Sequence, residues 1–333
     1  MPQNSVLLFL TERCNLSCRH CYVWAEPGSG PAMPLETFDL ALNLCCQLGI
    51  EDVSLAGGEP TIHPKFGLMV REVAQRGLRA RLITNGISLI RRDQLENTLR
   101  YLDMCWLSVY GPTEAVHQSV SRGQSLPLCE LVETVGKFTR KGYMIGVSVL
   151  ITPDSIDHIG DFLDVAESKG VRRVRLLPLQ PDGRATVEMN YSWETWPGDL
   201  SALRRKLRSD RREQFEILTM NSPFAQEDWE VEGRASCLLN NRRLWSVVPD
   251  GDVFTCCFTA FEEEHRVGNV HEDDLADRLA RWTLDSIPHA PCKGVTDEFW
   301  NLGANGRVRC PLTSVGLKGV DSIVGEIALP WEL

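Results

Sequence analysis

Residues 6–21 read VLLFLTERCNLSCRHC, an apolar run that leads into three cysteines. The run Val6–Leu10 has the length and composition of a β-strand that is buried on both faces. Cys14, Cys18 and Cys21 then share one short loop at a C-x3-C-x2-C spacing. Chemically active side chains directly after a buried strand are typical of the carboxyl edge of a parallel sheet. The segment therefore predicts an α/β fold whose site lies at that edge.

Further apolar runs follow at intervals that leave room for a helix between them. They are Val53–Ala56, Ala80–Thr84, Met104–Val109, Ile145–Ile151 and Arg173–Leu177. Helical periodicity fills the intervals at Leu35–Leu48, Phe66–Gln75, Arg91–Leu99, Leu128–Lys141 and Ile156–Lys169. Glycines suited to helix C-termini are Gly49, Gly77, Gly142 and Gly170. The pattern predicts six βα units with right-handed crossovers, arranged as either an open doubly wound sheet or a partial barrel.

Composition narrows the class of protein. The chain has 333 residues, 43% hydrophobic and 24% charged, which fits a folded protein of about two domains and excludes a disordered or fibrous chain. A formal net charge of -10 argues against a nucleic-acid partner. Val6–Leu10 is far shorter than the roughly 20 apolar residues of a membrane span, and no basic signal-peptide region precedes it. We therefore expect a cytoplasmic protein with no membrane partner.

The alternation of predicted strands and helices ends after Pro181. A connection rich in Trp, Pro and charge follows, with a basic helix predicted near Leu200–Arg212, and strands with little helix between them come next. The pattern therefore predicts two domains, an α/β domain over residues 1–214 and a smaller domain over residues 215–333. The clearest element of the second is a hairpin of Leu244–Val248 and Val253–Phe258, turned by residues 249–252.

The twelve cysteines are too few for a disulfide scaffold of this size, so metal binding, catalysis and core packing are their candidate roles. Three thiolates on a four-iron cluster leave one iron without a protein ligand. A structural zinc site is the alternative, although closed zinc sites supply four protein ligands and usually pair C-x2-C units. For the cysteines away from strand ends, which are Cys45, Cys46, Cys105 and Cys129, we expect core packing.

Two motifs at two strand ends carry a family resemblance. The first is C-x3-C-x-aromatic-C, with His20 in the aromatic place, and the second is Gly57-Gly58-Glu59-Pro60. Together they resemble the radical S-adenosylmethionine (SAM) superfamily. The resemblance implies a partial (β/α)6 TIM barrel with a [4Fe–4S] cluster on Cys14, Cys18 and Cys21. It also implies that SAM chelates the open iron and that a reductant such as flavodoxin or ferredoxin supplies the electron.

The resemblance further assigns contacts with SAM. In this assignment Gly57 and Gly58 bring backbone close to the methionine part of SAM, and Glu59 accepts from its ammonium group. The complete set of expected cofactor contacts is His20, Gly57, Gly58, Glu59, Pro60, Asn85, Ser108 and Ser148. One position departs from the family pattern, because Tyr110 stands near the place where many relatives carry an acidic residue.

A second cysteine group lies in the smaller domain. The spacing from Cys237 through Gly251 to Cys256 resembles the start of the auxiliary-cluster extensions called SPASM and twitch. A single twitch-like [4Fe–4S] cluster is expected, with the ligands Cys237, Cys256, Cys292 and Cys310. Cys257 is spare, because adjacent strand residues point to opposite faces. Our hypothesis is that Cys257 donates a hydrogen atom to a substrate radical, the alternatives being a packed thiol or an exchange of roles with Cys256.

The spare thiol favours epimerisation, with dehydrogenation through the auxiliary cluster and crosslinking of a peptide as alternatives. Strand one begins near Ser5, and only a short tail follows Cys310, so no additional leader-binding domain is predicted. We therefore expect a small substrate, such as a cationic aminosugar of aminoglycoside type, ahead of a ribosomal peptide. A protein of a different class, a two-cluster electron-transfer protein that never cleaves SAM, is the remaining alternative.

Overall fold

The computed structural model describes residues 5–28, 30–179, 183–190, 216–219, 236–237, 244–254, 257, 260–261, 263–281 and 313–314. Several sequence-based predictions lie outside these residues: the basic helix near 200–212 and the expected ligands Cys256, Cys292 and Cys310. Of Cys237, only its place in a strand is described.

The strands form one large sheet and one small one. They are β1 (Ser5–Phe9), β2 (Asp52–Ala56), β3 (Arg79–Thr84), β4 (Met104–Val109), β5 (Ile145–Ile151), β6 (Arg173–Pro178), β7 (Glu216–Thr219), β8 (Ser236–Cys237), β9 (Leu244–Val247), β10 (Asp252–Phe254), β11 (Arg266–Asn269) and β12 (Thr313–Ser314). The large sheet has the order β11-β10-β9-β1-β2-β3-β4-β5-β6-β7, and β8 pairs with β12. Strands β1 to β7 pair in parallel, as does β9 with β1, whereas β9, β10 and β11 are antiparallel.

The helices are α1 (Leu35–Leu48), α2 (Phe66–Gln75), α3 (Ile87–Arg91), α4 (Leu95–Leu99), α5 (Glu114–Ser121), α6 (Leu128–Arg140), α7 (Ile159–Ser168), α8 (Arg184–Glu188) and α9 (Leu275–Arg281). The six βα units are confirmed, and they form the α/β fold of a partial barrel whose sheet is not closed. The single helix predicted over Arg91–Leu99 is wrong. The chain there forms α3 and α4, separated at Asp93, which has a left-handed φ of 51°.

The two faces of the parallel sheet differ in polarity. In β2, Val53 and Leu55 belong to the main apolar core together with helix residues such as Phe38. Asp52 and Ser54 alternate with them and are also buried, so they occupy the opposite face. Polar side chains buried at the corresponding positions of other strands are Ser5, Arg81, Ser148 and Arg175. The helix-covered face therefore stabilises the fold, and the opposite face carries the polar groups.

The core packing predicted for four further cysteines is confirmed for two of them and wrong for the other two. Cys45 and Cys105 are buried, but Cys46 and Cys129 are exposed, because each lies on the outer side of its helix. In the described residues, no helix is long and apolar enough to cross a membrane. The boundary at residues 214 and 215 stays a prediction, and strands from beyond it join both edges of the sheet, β7 beside β6 and β9 beside β1.

Candidate active site

The cysteine loop that follows β1 is held by backbone hydrogen bonds to two other segments and by one within the loop. Cys14 N donates to Glu26 O (3.2 Å), Arg19 N donates to Val120 O (2.9 Å), and Cys21 N donates to Cys18 O (3.2 Å). The Cys14 sulfur accepts from Leu16 N at 3.3 Å. The loop is therefore shaped by the protein itself, and it presents three free thiols, one buried and two half-buried.

The chemistry of these thiols fits an iron–sulfur cluster. Burial raises the pKa of the Cys18 thiol to about 12 and raises that of Cys14 as well, and neighbouring Cys21 adds to both shifts. Cationic iron offsets this cost when it binds, because thiolates bind metals and give up their protons on binding. Among the described residues, no three His, Cys, Asp or Glu side chains are grouped closely enough to hold a single metal ion.

Arg184 of α8 is the buried support of this loop. Its guanidinium donates to the carbonyl oxygens of Cys18 (2.9 Å), Trp24 (3.4 Å) and Ala25 (2.5 Å), and its side chain is 4% exposed. Its backbone N–H donates to Cys21 O at 3.0 Å. One residue thus holds the second half of the cysteine segment and the residues that follow it, and its positive charge lowers the pKa of Cys18 against the larger effect of burial.

The second motif packs directly on the cysteine loop. Gly58 N donates to Thr11 O (2.7 Å), and Glu59 N donates to Arg13 O (2.8 Å). A Cβ on Gly57 would lie 2.4 Å from Thr11 O, and one on Gly58 would lie 2.2 Å from Arg13 O. The glycines are therefore needed for contact between the two loops, and their approach to SAM stays a prediction. The close approach in this structure is between the two loops, and Gly57 also has a left-handed φ of 132°.

Glu59 joins the ends of β2 and β3. Its carboxylate is 1% exposed and accepts from Thr61 N (3.0 Å), Thr61 Oγ1 (2.5 Å), Thr84 Oγ1 (2.6 Å) and Asn85 N (2.8 Å). Burial raises the pKa of Glu59, and the four hydrogen bonds oppose that effect. Oε1 takes three of these bonds and Oε2 takes one, so Oε2 retains the capacity to accept from a ligand.

Asn85 connects this network to the cysteine loop. Its side-chain amide donates to Asn15 Oδ1 at 2.7 Å, and its own Oδ1 accepts from Ile87 N at 3.0 Å. Asn15 is the neighbour of Cys14 in the chain. The structure therefore brings together the ends of β1, β2 and β3, as the sequence predicted for a site at the carboxyl edge.

We expect Glu59→Gln to destabilise the protein by about 2 kcal/mol, because the Gln amide nitrogen cannot accept the hydrogen bonds that buried donors now make to the carboxylate. Urea unfolding of the anaerobic apoprotein measures this. Glu133→Gln is the matched control, since Glu133 is exposed and pairs with Lys169. A Glu59→Gln midpoint equal to that of the control would show that the network does not stabilise the fold.

The two serines predicted to contact SAM pair with one another across β4 and β5, Ser108 opposite Ser148. Ser148 Oγ accepts from Arg175 Nε at 2.9 Å, and the Arg175 guanidinium lies 4.8 Å from the centroid of the Trp106 ring. Sequence analysis missed Arg175. Its signal was a charged residue in the middle of a buried strand pattern, where a cation usually has a partner or a ligand. Burial lowers the pKa of Arg175 to about 9.

Tyr110, the departure from the family pattern, lies against the cysteine loop. Its buried hydroxyl hydrogen-bonds the Cys18 sulfur, and its ring lies 5.3 Å from His20 and stacks on His117 at 5.4 Å. His20 Nδ1 is buried without a hydrogen-bond partner within the described residues. Tyr110 therefore contacts one of the expected cluster ligands, and hydrogen bonds to a metal ligand tune the properties of metal sites.

His117 supports Tyr110, and its protonation state is set by its contacts. Nδ1 accepts from Tyr110 N (3.0 Å), so the proton sits on Nε2, which bonds Leu126 O (2.9 Å). Burial lowers the pKa of His117 below its usual 6.5. Its contribution to stability is therefore complete above pH 6.5 and is lost as the pH falls below that value, because the unfolded chain binds a proton more readily.

We expect His117 alone to lower the free energy of unfolding by up to about 1.4 kcal/mol for each unit of pH decrease in this range. Denaturant unfolding between about pH 7 and about pH 5.5 measures it. His117→Gln is expected to flatten the dependence, whereas His158→Gln, at an exposed position, is expected to keep the wild-type slope. Equal slopes for all three proteins would contradict this assignment.

Cys257 lies near the same edge of the sheet. It is half-buried and packs against an apolar cluster that includes Phe9 at the end of β1 and Ala56 at the end of β2. Tyr22, the residue after Cys21, packs on the same cluster. Cys257 thus shares an apolar surface with the strand ends that carry the cysteine and glycine motifs.

Comparison with known proteins gives the class of protein that the two sequence motifs predicted. Residues 8–166 match the model of the radical SAM superfamily, and residues 237–282 match SPASM, an iron–sulfur cluster-binding domain. The antilisterial bacteriocin subtilosin biosynthesis protein AlbA of Bacillus subtilis is 24% identical over 79% of this chain and 56% of its own length. The PqqA peptide cyclase of Ruegeria pomeroyi is 27% identical over 76% of this chain and 67% of its own.

Among solved structures, Streptococcus suis SuiB bound to its precursor peptide SuiA superposes with a TM-score of 0.69 at 16% identity, covering 96% of this chain and 75% of SuiB. The chain spans little more than half the length of AlbA. The chain contains a radical SAM domain and an SPASM domain, in agreement with the radical SAM core and the twitch-like or SPASM-like extension that the motifs predicted. Its cofactors are SAM with a [4Fe–4S] cluster and additional iron–sulfur in the SPASM domain.

Proposed function

We propose that this radical SAM enzyme modifies a peptide. The observation that carries the proposal is its similarity, over about three quarters of the chain, to AlbA and the PqqA peptide cyclase, whose names refer to a bacteriocin and a peptide. This proposal replaces the aminosugar expected from the sequence, because that expectation depended on where the chain begins and ends.

When bound, SAM and the reduced cluster supply a 5'-deoxyadenosyl radical that removes a hydrogen atom from a substrate C–H bond. We assign the preparation for that step to this chain's own residues. Cys14, Cys18 and Cys21 hold the cluster, and Glu59 orients the strand ends and accepts from the SAM ammonium through Oε2. Arg175, held by Ser148, presents a buried cation suited to the SAM carboxylate.

The remaining predicted contacts keep their proposed roles. His20 and Pro60 contact the cofactor from the two loops, and Ser108 hydrogen-bonds SAM from the end of β4. The apolar cluster around Phe9 excludes water from the radical. For the auxiliary cluster we propose the predicted ligands, Cys237, Cys256, Cys292 and Cys310.

The substrate class is tested by SAM cleavage. Reduced, reconstituted enzyme is incubated with ribosomal precursor peptides or with aminoglycosides, and 5'-deoxyadenosine is counted above the uncoupled background. Stimulation by peptides alone is the expected result. Stimulation by aminoglycosides alone would restore the small-substrate prediction. Absence of methionine and 5'-deoxyadenosine under every condition would favour the electron-transfer alternative.

For the fate of the radical we propose epimerisation, with Cys257 giving the carbon a hydrogen atom from the face opposite to abstraction. The Cys257 S–H bond breaks in this step, and the remaining thiyl radical is returned to the thiol by one electron from the protein reductant and one proton from solvent. The contact of Cys257 with the apolar cluster at the strand ends supports this role. A thiol hydrogen exchanges with solvent, so turnover in D2O should place deuterium at the inverted carbon.

We expect Cys257→Ala to keep hydrogen abstraction, measured as 5'-deoxyadenosine, and to lose deuterium incorporation by at least about 100-fold. The matched control is Cys129→Ala, which removes an exposed thiol. Undiminished inversion in Cys257→Ala would exclude the donor role. A wild-type product that has lost a pair of hydrogens would show dehydrogenation instead.

A further inference from the structure

A groove on the outside of the barrel has no role in the site described so far. It lies between α2 and the α3–α4 segment and encloses about 630 Å³. Its walls include Thr61, Arg71, Arg92, Asn97, Arg100 and Tyr101, and we call it the basic groove.

The charge of the basic groove is opposite to that of the whole chain. None of its lining residues is acidic, although the chain carries a formal net charge of -10. Arg71, Arg92 and Arg100 are exposed, and none of them forms an ion pair with another described residue. Of the acidic residues close to these arginines in the chain, Glu72 pairs with Arg76 and Glu96 pairs with Lys141, whereas Asp93, next to Arg92, is exposed and does not line the groove.

One wall of the groove belongs to the SAM motif. Thr61 lines the groove, and its hydroxyl donates to Glu59 Oε1 at 2.5 Å. Glu59 Oε2 accepts from Asn85 N at 2.8 Å, and the Asn85 amide donates to Asn15 Oδ1 at 2.7 Å. Asn15 lies in the cysteine loop and follows Cys14 directly. A short hydrogen-bonded path therefore connects the groove to the first cysteine of the proposed cluster loop.

We propose that the basic groove is the docking surface for an acidic one-electron carrier protein that reduces the cluster. Electron-transfer encounters bury little area and depend on complementary charge, which exposed, unpaired arginines at the rim of an open groove supply. The step transfers one electron: the carrier is oxidised by one electron, and the charge of the cluster falls from 2+ to 1+.

The test compares two reductants on the same holoenzyme. Reduced flavodoxin is the carrier, and dithionite is the small reductant that needs no docking. Arg92→Glu/Arg100→Glu is expected to lower the second-order rate of cluster reduction by flavodoxin about 10-fold at low salt, and to remove most of its salt dependence. Dithionite-driven SAM cleavage is expected to stay at the wild-type rate.

Two controls separate docking from other causes. Lys137→Glu reverses a charge on α6, away from the groove, and is expected to keep the wild-type flavodoxin rate. Arg92→Lys/Arg100→Lys keeps the positive charge and is expected to retain most of the rate of cluster reduction by flavodoxin. A site that binds a small anion through bidentate arginine contacts would instead lose its function in this variant. A wild-type flavodoxin rate in the double Glu variant overturns the proposal.

The proposal rests on SAM cleavage by this enzyme, and the dithionite reaction keeps the two apart. If the wild-type enzyme does not cleave SAM when dithionite reduces it, the proposed function is contradicted. Normal dithionite-driven cleavage together with an unchanged flavodoxin rate in Arg92→Glu/Arg100→Glu would count against the docking surface alone.

Discussion

Replacing Cys14, Cys18 and Cys21 together by alanine is expected to abolish SAM cleavage and to leave about four irons per chain. The three thiols, which we propose as the protein ligands of the SAM-site cluster, share one loop that backbone bonds hold in place, so their removal takes away these ligands without changing those bonds. The irons that stay belong to the SPASM domain. Iron and sulfide counting on anaerobically reconstituted protein, with 5'-deoxyadenosine as the activity readout, measures both effects.

The control is Cys46→Ala/Cys129→Ala, which removes two exposed thiols and is expected to keep full iron content and activity. A triple variant that retains the wild-type iron content would show that the loop holds no cluster. A folded triple variant with no iron, beside a wild type with about four, would show that the smaller domain covers the substrate without a cluster of its own.

The sheet could be predicted because burial on both faces produces uninterrupted apolar runs. The predicted strands Met104–Val109 and Ile145–Ile151 agree with the structure at both ends. Helix ends were harder to predict. The break between α3 and α4 at Asp93 depends on a left-handed residue that no periodicity reveals, and α5 is too short to show a clear pattern.

The sequence predicted which residues lie together at the strand ends, but not the hydrogen bonds that connect them. The sequence places Cys14 and Glu59 at neighbouring strand ends, and the structure links them through Asn85. Spacing alone could not show that Thr61, Thr84 and Asn85 supply the four hydrogen bonds of Glu59, because only the fold brings the end of β3 to this carboxylate. Arg175 lies far along the chain from Ser148 and Trp106, and Arg184 lies far from the cysteine loop, so only the fold brings each arginine to its contacts.

Arg184→Met is expected to have the second largest effect, because Arg184 supports the cysteine loop without being a ligand. The substitution leaves the carbonyl oxygens of Cys18 and Ala25 without their buried donor. Methionine preserves much of the side-chain volume, so loss of hydrogen bonds and charge is isolated from loss of packing. We expect the apoprotein to lose about 3 kcal/mol of stability and the holoenzyme to release iron to a chelator about 10-fold to about 100-fold faster.

The matched control is Arg122→Met, because Arg122 also donates to the cysteine segment, at Ser17 O (2.6 Å), but from the surface. Its ion pair with Glu188 is solvent-exposed, so the control is expected to leave urea midpoint and iron release unchanged. Arg184→Lys retains the charge but not the fork that reaches several carbonyls, so an intermediate rate of iron release is expected. If Arg184→Met and Arg122→Met release iron equally slowly, the loop is held by its backbone bonds alone. Faster release from Arg184→Met only would show that a buried cation from α8 shapes the cluster site.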